Sequence, residues 1–331
     1  MMMRILIFFL VTTTIVWWMY YWYNNNDEIK QKTDNILKDV FNTDIKEIWK
    51  KVTEKKNLVI KKGNEIKNEL DVKAKELAKS EEISTPDFHN KNEKYWKAEK
   101  NKTILSFSKA KSILQKNIYD WKTIKRETFY CWCDYTSTKK VKPWNCWFKH
   151  NWKYIKRSKK IEWEHIVPAE NFWKSFEEWR NPSKFDACKK KKGWYYTSRT
   201  CAWKANVEYK AMEADMYNLV PAIGSLNALR SNYQIAEIEW EKREFGKCDF
   251  EINNSKVEPS TNKKWDIARI YLYMDLTYPW RWIIWNKNSK LIAAWNNLDP
   301  ISKEECKRYE SIKKIQKNKN IILDKTCKKY K

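Results

Sequence analysis

Four glycines in 331 residues constrain this chain before any motif does. Glycine is the residue that enters positive φ without steric cost, and tight turns depend on it. Average usage would supply about 23. The chain carries 21 tryptophans instead, several of them where turns are expected: Cys131-Trp132-Cys133, Pro143-Trp144-Asn145-Cys146-Trp147 and Tyr278-Pro279-Trp280-Arg281-Trp282. Tryptophan is poorly suited to such places. The expectation is that many of these tryptophans are UGA codons, read in an organism that decodes UGA as glycine. UGG codons at Trp132, Trp147 and Trp173 would contradict it.

The remaining composition, 42% apolar and 33% charged, reads as globular, and the length allows about two domains. With 67 Lys and Arg against 42 Asp and Glu, the formal charge is +25. Such an excess favours a polyanionic partner or an anionic membrane surface. Residues 1–23 begin with Met-Met-Met-Arg4 and continue through an apolar run, the layout of a secretory signal, without a clean small-residue cleavage site. Left uncleaved, residues 5–23 approach the length of a membrane anchor. Residues 24–94 are charged, with apolar positions at helical spacing, and are expected to form a stalk or spacer. Residues 95–331 are expected to hold the folded domain, α+β and mostly helical with a small antiparallel sheet.

All eight cysteines, Cys131, Cys133, Cys146, Cys188, Cys201, Cys248, Cys306 and Cys327, lie in this region. Behind an export signal, an even number favours disulfides over zinc, because no paired C-x-x-C knuckles are present. Nearest-neighbour spacing suggests Cys133 with Cys146, Cys188 with Cys201 and Cys306 with Cys327, leaving Cys131 for Cys248.

Three segments carry chemistry. "IEWEHIVPAENF" places Glu164 beside His165. A neutral imidazole can take a proton from water near neutral pH, and a carboxylate is a hard ligand suited to Mg²⁺. On a strand these neighbours face opposite ways unless the strand ends there, which Pro168 permits. "MEADMYNLVPAIGSLNALRSNY" sets polar Asn218 in an apolar run, where it serves core hydrogen bonding or a cation. Between them lie Arg199 and Lys189 to Lys192, types suited to phosphate. Strands are expected at Thr128–Tyr130 and Ile161–Val167. Helices are expected at Leu105–Tyr119, Glu208–Val220 and Asp266–Leu276, with more between Leu291 and Ile322.

These segments, together with Thr128-Phe129-Tyr130-Cys131-x-Cys133, Ser198-Arg199-Thr200-Cys201 and "DIARIYLYM", resemble the endonuclease I family of periplasmic and secreted bacterial nucleases. The resemblance spans roughly residues 100–330. It implies a ββα-metal (His-Me finger) site in which Glu164 and Asn218 bind Mg²⁺, with Ca²⁺ or Mn²⁺ as substitutes. His165 would activate water and Arg199 would hold the cleaved phosphate. The implied activity is sequence-nonspecific hydrolysis of DNA, with RNA as a second substrate. The alternative is a non-catalytic, membrane-tethered nucleic-acid-binding or uptake module. Where the family has glycine, this chain has Trp132, Trp173 and Trp265, whereas Trp163 and Trp179 match family tryptophans.

Overall fold

The computed structural model describes residues 98–330 except 151, 240, 241, 285, 298 and 299, together with 31, 53, 54 and 58. The expected signal or anchor at 1–23, and nearly all of the expected stalk at 24–94, lie outside the described residues. Among the described residues no helix is long and apolar enough to cross a membrane.

Helices dominate and the sheets are small, an α+β arrangement. The elements used below are α1 (Phe107–Ile113), β1 (Ile161–His165), α2 (Ala169–Trp173), α3 (Ser198–Ala205), α4 (Val207–Glu213), β2 (Leu219–Ile223) and α5 (Gly224–Arg230). After them come β3 (Gln234–Ile235), β4 (Phe250–Asn253), β5 (Lys256–Pro259), α6 (Thr261–Thr277), α7 (Asn286–Asn297), α8 (Lys303–Gln316) and α9 (Ile321–Cys327).

Strands β1 and β2 pair antiparallel, with Ile161 opposite Ile223 and His165 opposite Leu219. α5 follows β2 without a loop. Gly224 makes this join possible, since a Cβ there would sit 2.6 Å from the Arg157 carbonyl oxygen. The second sheet, β3-β5-β4, mixes one parallel and one antiparallel pair, so the sheet content is not wholly antiparallel.

Two expected elements differ. Thr128–Tyr130 is a turn rather than a strand: the Thr128 N–H donates to the Cys133 carbonyl and the Phe129 N–H to the Pro221 carbonyl. The expected helix from Glu208 ends at Glu213. Asp215 then caps a short 3-10 turn through the Tyr217 N–H, and Leu219 enters β2. Pairing with β1 overrides helical periodicity there.

One contiguous core runs under α1, β1, β2 and α6, and includes Trp163, Phe172, Tyr209, Leu219, Tyr271 and Met274. Four disulfides close it, Cys131–Cys248, Cys133–Cys146, Cys188–Cys201 and Cys306–Cys327. Bridges across loops this size typically contribute a few kcal/mol each by restricting the unfolded chain.

The tryptophans divide by backbone. Of ten non-glycine residues at positive φ among the described residues, five are Trp121, Trp132, Trp147, Trp280 and Trp282. A bulky side chain rarely adopts that conformation, which costs about 1–3 kcal/mol. By contrast Trp163 is 5% exposed, and buried Trp295 donates Nε1–H to Glu237 at 2.8 Å. Trp173 and Trp265 lie in α2 and α6 and are not among the positive-φ residues, so the backbone itself does not ask for glycine there. Trp121→Gly and Trp147→Gly, both at exposed sites, should each raise stability by about 1 kcal/mol in thermal unfolding. Trp163→Gly should lower it by about 3–5 kcal/mol. Equal losses in all three would remove the distinction.

Candidate active site

β1 places its side chains on two faces. His165 lies at the strand end, and its Nε2 is 2.8 Å from the Glu213 carbonyl oxygen at the end of α4. That contact makes Nε2 the protonated nitrogen and leaves Nδ1 with the lone pair, the form a base requires. The Phe107 ring from α1 packs against the imidazole, centroids 4.9 Å apart. Burial lowers the pKa of His165 to about 4, with the Arg199, Arg230 and Lys111 cations acting in the same sense. The imidazole is therefore neutral at physiological pH.

Glu213 also sets Arg199. Its Oε1 accepts from Arg199 Nε at 2.8 Å and lies 2.7 Å from Nη2. The carboxylate is nearly buried while the Arg199 side chain is 51% exposed, which presents the guanidinium to solvent beside the imidazole. His165 and Arg199 are thus brought together through a residue that sequence reading passed over. Glu213 looks there like one more charge on an amphipathic helix, and its key atom for His165 is a backbone oxygen.

The opposite face of β1 carries Glu162 and Glu164. Glu164 is buried and pairs with equally buried Arg230 of α5, Oε1 to Nη1 at 3.1 Å. The Tyr130 hydroxyl stands 3.4 Å from the same oxygen. Burial raises the Glu164 pKa to about 7 against the opposing pull of Arg230. Arg230 continues to the strand end, donating to the carbonyls of His165 at 2.9 Å and Ile166 at 2.6 Å. This cation anchors the point where β1 stops, so the chain can turn after His165.

Asn218 lies at the opposite strand's entry, bonded to the backbone after β1. It is fully buried: Oδ1 accepts from the Val167 N–H at 2.7 Å, and Nδ2 donates to the Val167 carbonyl at 3.0 Å. Its amide holds the segment after β1 through these two bonds. The amide on the carboxylate face is Asn227, one helical turn before Arg230, whose Nδ2 donates to Glu162 Oε2 at 2.8 Å. Its helical spacing from Arg230 in "GSLNALR", just after a strand, is the signal that could have found it.

Among the described residues no three His, Cys, Asp or Glu side chains gather into a metal cluster. Mg²⁺ does not need one, since it retains several waters and accepts one or two protein oxygens. The face fits that requirement. Among the described residues, the hydrogen bonds and ion pair at Glu164 fall on Oε1 and the one at Asn227 on Nδ2, which leaves Glu164 Oε2 and Asn227 Oδ1 for a cation.

The endonuclease I family model matches residues 64–327. The chain belongs to the endonuclease I family. A periplasmic deoxyribonuclease of Aeromonas hydrophila is 34% identical over 206 residues, 60% of this chain and 79% of that protein. Endonuclease-1 of Buchnera aphidicola subsp. Acyrthosiphon pisum (strain APS) is 32% identical over 238 residues, 70% and 85%. An extracellular deoxyribonuclease of Aeromonas hydrophila is 32% identical over 229 residues, 68% and 90%. This endonuclease I family member is a nuclease, and it is exported.

Proposed function

We propose that the chain is a Mg²⁺-dependent, sequence-nonspecific endonuclease that hydrolyses phosphodiester bonds of DNA, with RNA as a second substrate of the same chemistry. The observation carrying this reading is the His165–Glu213–Arg199 arrangement. One residue fixes the base's tautomer with its carbonyl and the phosphate-binding cation with its carboxylate.

In this reading β1, β2 and α5 form a ββα-metal, or His-Me, finger. His165 Nδ1 takes a proton from water, which attacks phosphorus in line with the departing 3′ oxygen. Arg199 offers paired donors to the non-bridging oxygens of the phosphate. Glu213 keeps both groups oriented, and the Phe107 packing holds the imidazole plane. Glu164 and Asn227 would hold Mg²⁺, which when bound supplies Lewis-acid stabilisation of charge on the phosphate and the leaving oxygen. Asn227 is the amide ligand in this reading, while Asn218 clamps Val167. Charge of +25 supplies affinity without base readout. A non-catalytic uptake module would have no use for a tautomer-fixed imidazole beside a tethered arginine.

Two asparagine variants test the metal assignment. Asn227→Ala should raise the Mg²⁺ concentration for half-maximal nicking by about 10- to 100-fold, in the range seen for weakened metal sites, with little change in melting temperature. Asn218→Ala should instead lower stability by about 1–3 kcal/mol, the cost of orphaned buried backbone groups. Metal dependence shifted by Asn218→Ala alone would return the ligand to that position.

A further inference from the structure

Between Ala187 and Val207 the chain has six cations, Lys189, Lys190, Lys191, Lys192, Arg199 and Lys204, and no carboxylate. The structure gives this run a fixed shape. Lys189 bridges Tyr195 antiparallel, the Lys190 N–H donates to the Trp194 carbonyl, and the Tyr196 N–H donates to the Cys188 carbonyl at 2.8 Å. The tip turns at Gly193, whose φ of +81° suits glycine. The base is stapled by Cys188–Cys201, Cα atoms 4.9 Å apart, directly onto α3, the helix that bears Arg199. Lys190 and Lys204 flank the Tyr196 ring, their Nζ atoms 5.2 and 4.5 Å from its centroid. Lys189 to Lys192 and Lys204 are exposed.

We propose that this disulfide-closed hairpin is a second grip on the nucleic-acid strand: its lysines bind backbone phosphates next to the one held by Arg199. Three residues of strand reach roughly 10 Å, about three phosphates at 3.4 Å of helix axis each. The disulfide and the ladder order the hairpin before binding, which lowers the entropic cost of engaging those phosphates. Lysine contacts to phosphate carry no base information, so the grip is sequence-independent. The inference rests on the nuclease reading for Arg199, yet its test does not require catalysis.

The test measures equilibrium binding of a duplex oligonucleotide in EDTA, from low to moderate salt, with wild-type nicking in Mg²⁺ as a separate arm for the catalytic reading. The oxidised protein carrying Lys189→Ala, Lys190→Ala, Lys191→Ala and Lys192→Ala is compared with a charge-matched control carrying Lys314→Ala, Lys319→Ala, Lys325→Ala and Lys329→Ala, exposed positions in or flanking α8 and α9. The hairpin variant should bind at least about tenfold more weakly near 0.15 M salt, and the slope of log Kd against log salt should flatten by about 2–4. The control should change both far less. In Mg²⁺ the hairpin variant should raise KM with kcat within about twofold, since the grip binds ground and transition states alike. Equal losses in the two variants, or an unchanged Kd and slope in the hairpin variant, would overturn the proposal. A hairpin variant that melts well below wild type is replaced by Lys→Gln at the same four positions, with the same expected shifts and the same overturning results.

Discussion

His165→Ala is expected to slow plasmid nicking by about 10²- to 10⁴-fold, the range general-base removal produces, while the melting temperature changes little. The imidazole is half-buried and its structural partners are one carbonyl and one aromatic ring, so its loss leaves few groups unsatisfied. The pH profile adds a second signature. Burial lowers the pKa of His165 to about 4, so the base is in its working form throughout the neutral range and is lost only as pH falls toward that value. In the proposed reading, phosphates bound beside Arg199 should move the inflection upward, toward the usual histidine range. The sign for stability is the same. A histidine whose folded pKa lies below its unfolded value makes the unfolded chain bind more protons between the two, so stability falls as pH drops from about 6.5 to 4. Nicking that persists undiminished in His165→Ala, or a wild-type rate that rises only above neutral pH, would contradict this role.

Arg230→Met should destabilise the domain by about 3–5 kcal/mol, the cost of removing one partner from a buried ion pair. Thermal unfolding should shift by on the order of 10 °C for a domain this size. The variant strands the Glu164 carboxylate and frees the carbonyls of His165 and Ile166 that Arg230 now satisfies. The loss should depend on pH. With a folded pKa raised to about 7, Glu164 takes up a proton on folding between about pH 4.5 and 7. This makes the folded state relatively more stable as pH falls through that window. Arg230 holds that pKa down, so its removal raises it further, and the loss relative to wild type should grow above neutral pH and level off below about pH 7, where the carboxyl is protonated in both proteins. Glu164→Gln combined with Arg230→Met should recover the part of the loss due to the stranded carboxylate and leave the cost of the freed His165 and Ile166 carbonyls. A variant within about 1 kcal/mol of wild type at pH 8 would show that Glu164 is not a buried charge needing Arg230.

Much of the site was legible because its residues carry their chemistry in their type. A histidine at the end of an apolar strand before Pro168, and an arginine in a carboxylate-free basic run, needed no structure to stand out. Asn218 was legible as an interior amide needing partners, and the Val167 backbone supplies them. Glu213 was not legible, because it positions His165 through a carbonyl that every residue possesses. Asn227 and Arg230 were hidden in a short helix whose spacing meets β1 only once the strands pair. Local pattern failed where pairing dominates: Thr128–Tyr130 gives its N–H groups to a turn and to Pro221, and the run after Glu213 straightens into β2. The glycine shortage was legible from counting, and the positive φ values at Trp121, Trp132, Trp147, Trp280 and Trp282 supply its physical counterpart.

Nicking of a supercoiled plasmid by the oxidised full-length chain tests the central claim most directly. Conversion to the open circle should occur with Mg²⁺, stop in excess EDTA, resume when Mg²⁺ is restored, and fall by at least about a hundredfold in His165→Ala. Equal nicking in EDTA, or equal nicking by His165→Ala, would contradict metal-assisted hydrolysis at this site.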